Sequence, residues 1–171
     1  NTIKDNVMDN CLFGVDLQQS DHNIVRRNHF NSSKRFSLGL RGDAIRLWYS
    51  MNNQVTDNEI NHFRDTVVWY SKDNLIARNL SRGGRYSLHF MYSQSNRVED
   101  NRLQQNSVGI FLMYSDDVEI RGNHISQAVG ATGMGIGFKE TSNITIEHNQ
   151  IIYCASGIYL DISPYQPETS N

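Results

Sequence analysis

His89, Met91 and Met113 are the residues of this 171-residue chain whose types suit one definite chemistry. Two thioethers and an imidazole make a soft donor set, suited to Cu(I) and poorly suited to Ca²⁺ or Mg²⁺. Met134 lies in a Gly-rich stretch, Gln127–Gly137, at the end of the insertion there, and is placed to reach toward the same set. The bland alternative is that the methionines fill irregular apolar surface and the histidine is only hydrogen-bonded. His22, His29, His62, His124 and His148 are scattered without zinc-like spacing. Acid–base chemistry is the competing possibility, and a glycosidase needs two carboxylates ~5–9.5 Å apart. Asp65, Asp116 and Asp117 fall near turns, while Lys139, Glu140 and Asp161 lie on adjacent repeats, so no clear pair or dense calcium-binding cluster emerges. No Lys-Ser/Thr pair and no helix follow the Gly-rich stretch, which makes it weak as a phosphate cradle.

What positions these residues is a repeat. The chain carries 19 Asn and 12 Gly but only 2 Pro, with Leu, Ile, Val and Phe spread evenly, which is the composition of a stacked array and not of a disordered chain. Asn6, Asn28, Asn58, Asn79, Asn101, Asn123 and Asn149 recur at spacings of 22, 30, 21, 22, 22 and 26. Three residues before each stands an apolar residue: Ile3, Val25, Val55, Ile76, Val98, Ile120 and Ile146. Two residues after most of them stands another, from Met8 and Phe30 to Ile125 and Ile151. A further column runs Leu17, Leu47, Val68, Phe90, Leu112, Phe138 and Leu160, with a hydroxyl residue three positions beyond it in every unit, from Ser20 to Ser163.

Apolar residues at i and i+2 read as strand, and a hydroxyl at one fixed place marks the same turn each time. Units of ~22 residues with two or three short strands cannot bury their own apolar face, so they must stack. Stacking like on like gives parallel sheets. The pattern therefore predicts an all-β chain, a right-handed parallel β-helix of about seven coils, spanning residues 1–171 as one domain. Helical repeats of similar length are excluded by the Asn, Gly, Ser and β-branched residues. The Asn column reads as a ladder of side-chain amides running coil to coil.

Insertions around Asn31–Arg41 and Ser126–Gly133 leave the solenoid between the Asn anchor and the second strand, the one that carries the Leu17–Leu160 column. Cys11 and Cys154 fall in coils one and seven, on the order of 29 Å apart at ~4.8 Å per coil, too far for a disulfide. The chain begins inside a coil and shows no capping helix, which reads as an internal piece of a longer β-helix protein.

Flanking the last inward column, Trp48, Val67, Trp69, Met91, Phe111 and Met113 point outward on coils two to five. An apolar stripe of this length implies cover, either from another segment of the protein or from a partner docking on Trp48, Trp69 and Phe111. Nucleic acid is not that partner, since the net charge is −2 and the pI near 6.3. No apolar run approaches the ~20 residues of a membrane span.

Segments Arg41–Ser50, Val67–Ser71, Gly84–Ser93, Asn106–Ser115, Gly130–Glu140 and Gly157–Pro167 resemble NosD, the periplasmic accessory proteins of nitrous oxide reductase. The resemblance implies a β-helix of the carbohydrate-binding and sugar-hydrolase type with a non-enzymatic, periplasmic role in supplying copper to the reductase. It also implies work alongside the ATPase and membrane subunits of an ABC transporter, with a periplasmic copper chaperone and the reductase as partners. The assignment of copper to His89, Met91, Met113 and Met134 rests on donor softness and placement, not on the resemblance. The competing reading is a carbohydrate-binding or polysaccharide-cleaving β-helix.

Overall fold

The computed structural model describes residues 1–164. The final three positions of the last family-like segment, Tyr165–Pro167, lie outside the described residues. Twenty-one strands form three parallel sheets of seven, each built from one strand per coil, so the chain is a three-sided parallel β-solenoid of seven coils. The only helical element among the described residues is the 3-10 turn Leu38–Leu40.

The apolar columns read from the sequence are the registers of the three sheets. In the first sheet Ile3, Val25, Val55, Ile76, Val98, Ile120 and Ile146 stand in line. In the second, Met8, Phe30, Ile60, Leu103, Ile125 and Ile151 share a column whose gap in coil four is filled by buried Ser81. In the third, Leu17, Leu47, Val68, Phe90, Leu112, Phe138 and Leu160 are partners. These columns meet in one continuous core, best buried in coils two to six. Leu160, inward on the last coil, is 58% exposed because no described coil stacks beyond it.

Between the first and second sheets the chain turns a sharp corner. The residue before each Asn anchor takes left-handed backbone, for example Asp57 (φ 58°), Arg78 (φ 54°) and Asp100 (φ 53°). The anchor amide then fills the corner and satisfies its neighbours. Asn58 donates through Nδ2 to Asn79 Oδ1 at 2.9 Å, Asn79 to Asn101 at 3.0 Å, and Asn101 to Asn123 at 3.0 Å. The backbone N–H of each anchor donates to the same oxygen, so one carboxamide closes two orphan donors in the next-lower coil. A second Asn ladder, absent from the sequence reading, runs five residues earlier through Asn1, Asn23, Asn53, Asn74 and Asn96. Val118 and Ile144 take that position in the next two coils, where the corner becomes apolar.

The hydroxyl column is a third ladder: Ser50 N–H donates to Ser71 Oγ at 3.0 Å, and Ser71 N–H to Ser93 Oγ at 3.2 Å. Both insertions leave between the second and third sheets, as the spacing predicts. Arg41 pins the first one, donating to Phe36 O at 3.0 Å and to His62 O and Gly83 O at 3.3 Å. Cys11 and Cys154 are unpaired.

Candidate functional site

The third sheet is the face that gathers the soft donors. Its strands are Val15–Gln18, Ile45–Trp48, Asp65–Trp69, Tyr86–Met91, Val108–Met113, Met134–Lys139 and Ser156–Asp161. Residues alternate with the inward column, so His89 and Met91 stand on the outer side of one strand and Met113 directly over Met91 on the next coil. Trp69 lies under Met91 and Trp48 under Trp69. Phe111 takes the register position between His89 and Gly137. The sequence-predicted donors His89, Met91 and Met113 thus fall on one patch, and Trp48, Trp69 and Phe111 border it.

Met134 is two coils from His89, in register with Val108 and Ser156. A Cβ on Gly137 would lie 3.1 Å from the Met134 Sδ and 2.5 Å from the Phe111 ring, so the missing side chain is what lets both pack there. Met134 is therefore set against Phe111 on the far side of the patch.

His89 is 6% exposed, far more buried than an outer-face histidine should be. Rings close over it: Tyr86 at 4.8 Å between centroids, Trp69 at 5.6 Å edge-on, and Phe111 at 6.4 Å. Tyr86 is brought there by a register shift between Tyr86 and His89 in the pairing with the coil below. Neither His89 ring nitrogen has a hydrogen-bond partner, and neither does the buried indole Nε1 of Trp69. Burial pushes the His89 imidazole down to about 4, an effect opposed by Asp65 and reinforced by Arg85 and Arg64. At neutral pH the ring is uncharged and holds an unused lone pair in a dry setting. Buried polar atoms are nearly always satisfied, so an orphan imidazole two residues from Met91 on one strand face, with Met113 one coil on, has the donor types of a soft-metal site.

Beneath the aromatic cover lies a buried ionic row that sequence reasoning missed. Asp65, expected near a turn, instead opens the coil-three strand and is 3% exposed. The turn rule fails here because Arg85 and Arg64 supply the charge partners that let a carboxylate be buried. Arg85 is paired with Asp65, and Arg64 reaches Asp43 at 2.8 Å and Asp65 at 3.5 Å. Asp65 also accepts from the Tyr86 N–H at 3.0 Å, and the Arg85 guanidinium sits 4.7 Å over the Tyr86 ring. Asp65 so fixes the ring that roofs His89. Burial raises the Asp43 carboxyl despite Arg64. With both buried carboxylates held by arginines, this row is not an open acid–base pair. Lys139 and Asp161 are register partners on adjacent coils, as their spacing predicts.

A second unread feature is a ladder of tyrosines at the corner after the third sheet. Tyr49, Tyr70, Tyr92 and Tyr114 all take left-handed backbone, with φ between 48° and 52°. Their rings stack in sequence at 4.8, 5.1 and 4.8 Å. The signal was available, since every one of them stands directly before a residue of the serine ladder.

Among the described residues no group of three or more His, Cys, Asp or Glu side chains is placed to hold a metal ion. Among the described residues no helix is long and apolar enough to cross a membrane. What remains is a repeat scaffold that carries, on the outer side of its third sheet, a buried imidazole ringed by aromatics and two methionines on the same face. Comparison with protein families matches residues 31–171 to NosD, described as a periplasmic copper-binding protein, and the chain belongs to that family. No curated protein matches the chain. The family's description names copper and the periplasm, and it names a binding protein, not an enzyme.

Proposed function

We propose that this chain is a non-enzymatic, periplasmic scaffold that holds Cu(I) at His89, Met91 and Met113 and takes part in its delivery to nitrous oxide reductase. The observation that carries the reading is the pair of buried, unpartnered His89 nitrogens beside two outward methionines. Met134 is a peripheral donor at the Phe111 edge. Trp48, Trp69 and Phe111 form the rim on which a periplasmic copper chaperone and the reductase dock, and the ATPase and membrane subunits of an ABC transporter complete the assembly. The family description, copper-binding and periplasmic, supports the metal and the compartment.

Holding the ion falls to residues already in place. The two thioethers give charge-neutral donors, the imidazole gives a third without first losing a proton, and the rings exclude water that would favour Cu(II). Competition with a soft chelator under anaerobic, reducing conditions tests this. One Cu(I) per chain is the expected outcome, weakened by about tenfold or more in the Met91→Ala, Met113→Ala double variant and in His89→Phe. Unchanged affinity in these variants overturns the assignment. A melting temperature that rises with oligosaccharides instead would return the carbohydrate reading.

A further inference from the structure

The pocket does not end at His89. Trp69 touches His89 at 5.6 Å, Trp48 touches Trp69 at 5.5 Å, and Tyr70 touches Trp48 at 5.7 Å. Tyr70 belongs to the stacked ladder, with Tyr49 on one side and Tyr92, then Tyr114, on the other. Indole and phenol are the protein rings most easily oxidised by one electron, and rings in van der Waals contact exchange electrons readily. We propose that this continuous row carries an oxidising equivalent from the His89 pocket to the exposed tyrosine ladder, sparing the methionine donors. The inference rests on the copper reading of the same pocket.

The row has a built-in direction. The Trp69 Nε1–H is buried without an acceptor, so an oxidised Trp69 cannot release its proton and passes the hole on. Tyr49 and Tyr92 are 45% and 47% exposed, so a phenol there can give its proton to water and trap the hole as a neutral phenoxyl radical. A Tyr, not a Phe, is needed for this step, although Phe would stack as well.

Hydrogen peroxide is the oxidant class that brings the row into use. One electron from the Cu(I)-loaded pocket cleaves the O–O bond, giving hydroxide and hydroxyl radical. The radical takes an electron from Trp69 and a proton from the medium to become water. Trp48 and Tyr70 refill Trp69 in turn, and one ladder tyrosine loses an electron and its phenolic proton. The net change is Cu(I) + H₂O₂ + TyrOH → Cu(II) + OH⁻ + H₂O + TyrO•. Without the row the same radical adds to the nearest thioether, the Cu(II) just formed takes up the second electron and the hydroxide the proton, and the net change is H₂O₂ + thioether → methionine sulfoxide + H₂O.

The test loads the intact chain with Cu(I), fixes occupancy by chelator competition, adds one equivalent of peroxide and freezes. Paramagnetic resonance then looks for phenoxyl, and peptide mass spectrometry measures Met91 and Met113 sulfoxide. The comparison variants are Trp48→Phe, which interrupts the row, and Tyr49→Phe/Tyr70→Phe/Tyr92→Phe/Tyr114→Phe, which keeps every stack but removes the phenols. We expect phenoxyl in the unaltered protein, its loss in the quadruple variant and its sharp reduction in Trp48→Phe, with several-fold more sulfoxide in both. Normal Cu(I) occupancy with no phenoxyl, or with equal sulfoxide in all three, overturns the row and leaves the copper site standing. Failure to take up Cu(I) at all overturns both.

Discussion

The Asn corner and the His89 pocket are both buried and both polar, yet they are built on opposite rules. In the corner every carboxamide of the middle coils is saturated: Asn79 accepts from the Asn58 N–H and Nδ2 and donates to Val55 O and Asn101 Oδ1. In the pocket both His89 nitrogens and the Trp69 Nε1 stand without partners under a cover of rings. A repeat protein can place the same residue type at the same corner in every coil, so its polar groups satisfy one another by translation. The pocket exists only once, where His follows Val67 in the outer column and Phe111 follows His89. Saturated polarity here holds the fold, and unsaturated polarity lies where we propose that the metal is held.

Breaking the saturated region should produce the largest effect. Asn79→Ala removes four buried hydrogen bonds, and at about 1 kcal/mol each the loss of stability is about 4 kcal/mol. Urea unfolding would show it as a lower midpoint with little change in slope. The pocket lies on another sheet, so the folded fraction should keep its Cu(I) affinity. A variant within about 0.5 kcal/mol of the unaltered protein would show that the ladder is ornament, contrary to its bonding.

The unsaturated region responds to pH in the opposite sense from an ion-paired histidine, whose pKa is raised. His89 is held down to about 4 in the folded chain, below its ordinary 6.5. The unfolded chain therefore binds the extra proton first as pH falls. The contribution of the neutral ring is intact above pH 6.5 and is lost progressively down to about 4, by roughly 3 kcal/mol in all. His89→Phe should be close to neutral at pH 7, because it replaces an unsatisfied polar ring by an apolar one. It should also flatten the stability profile between pH 6.5 and 4. A profile unchanged by the substitution would place the acid sensitivity elsewhere, with the arginine-paired Asp57 and Glu59, both held below their ordinary range, the next groups to examine.

How much of this contrast is visible in the sequence follows from the same distinction. The 22-residue frame makes the three sheets legible because side chains at equivalent positions must stack, and even its gaps resolve: Ser81 and Thr66 take the vacant slots. His89, Met91 and Met113 are legible as a patch for the same reason, by parity along the strand and register between coils. The burial of His89 is not, because strict alternation places Tyr86 on the opposite face, and only the register shift carries its ring back over the imidazole. The Asp65 row escapes because a turn residue and a buried ion pair look alike until Arg85 and Arg64 are seen to converge on it. The tyrosine ladder escapes for a weaker reason, since its period is the period of the repeat and was masked by the serine beside it.

That ladder gives the smallest effect and the finest separation of the two rules. Each inner ring is stacked on two others, at 4.8 to 5.1 Å for Tyr70 and Tyr92, and an aromatic pair contributes about 0.5–1.5 kcal/mol beyond its buried area. Tyr92→Ala should therefore lower stability by about 1–2 kcal/mol, whereas Tyr92→Phe keeps both stacks and should fall within about 0.5 kcal/mol of the unaltered chain. Thermal melts of the two variants side by side make the comparison. If Phe proves as damaging as Ala, the hydroxyl holds the corner and the ladder joins the Asn column as structure. If Phe is silent in stability yet changes how the loaded protein is oxidised, the phenols belong with His89 and Trp69 to the part of the molecule that does chemistry.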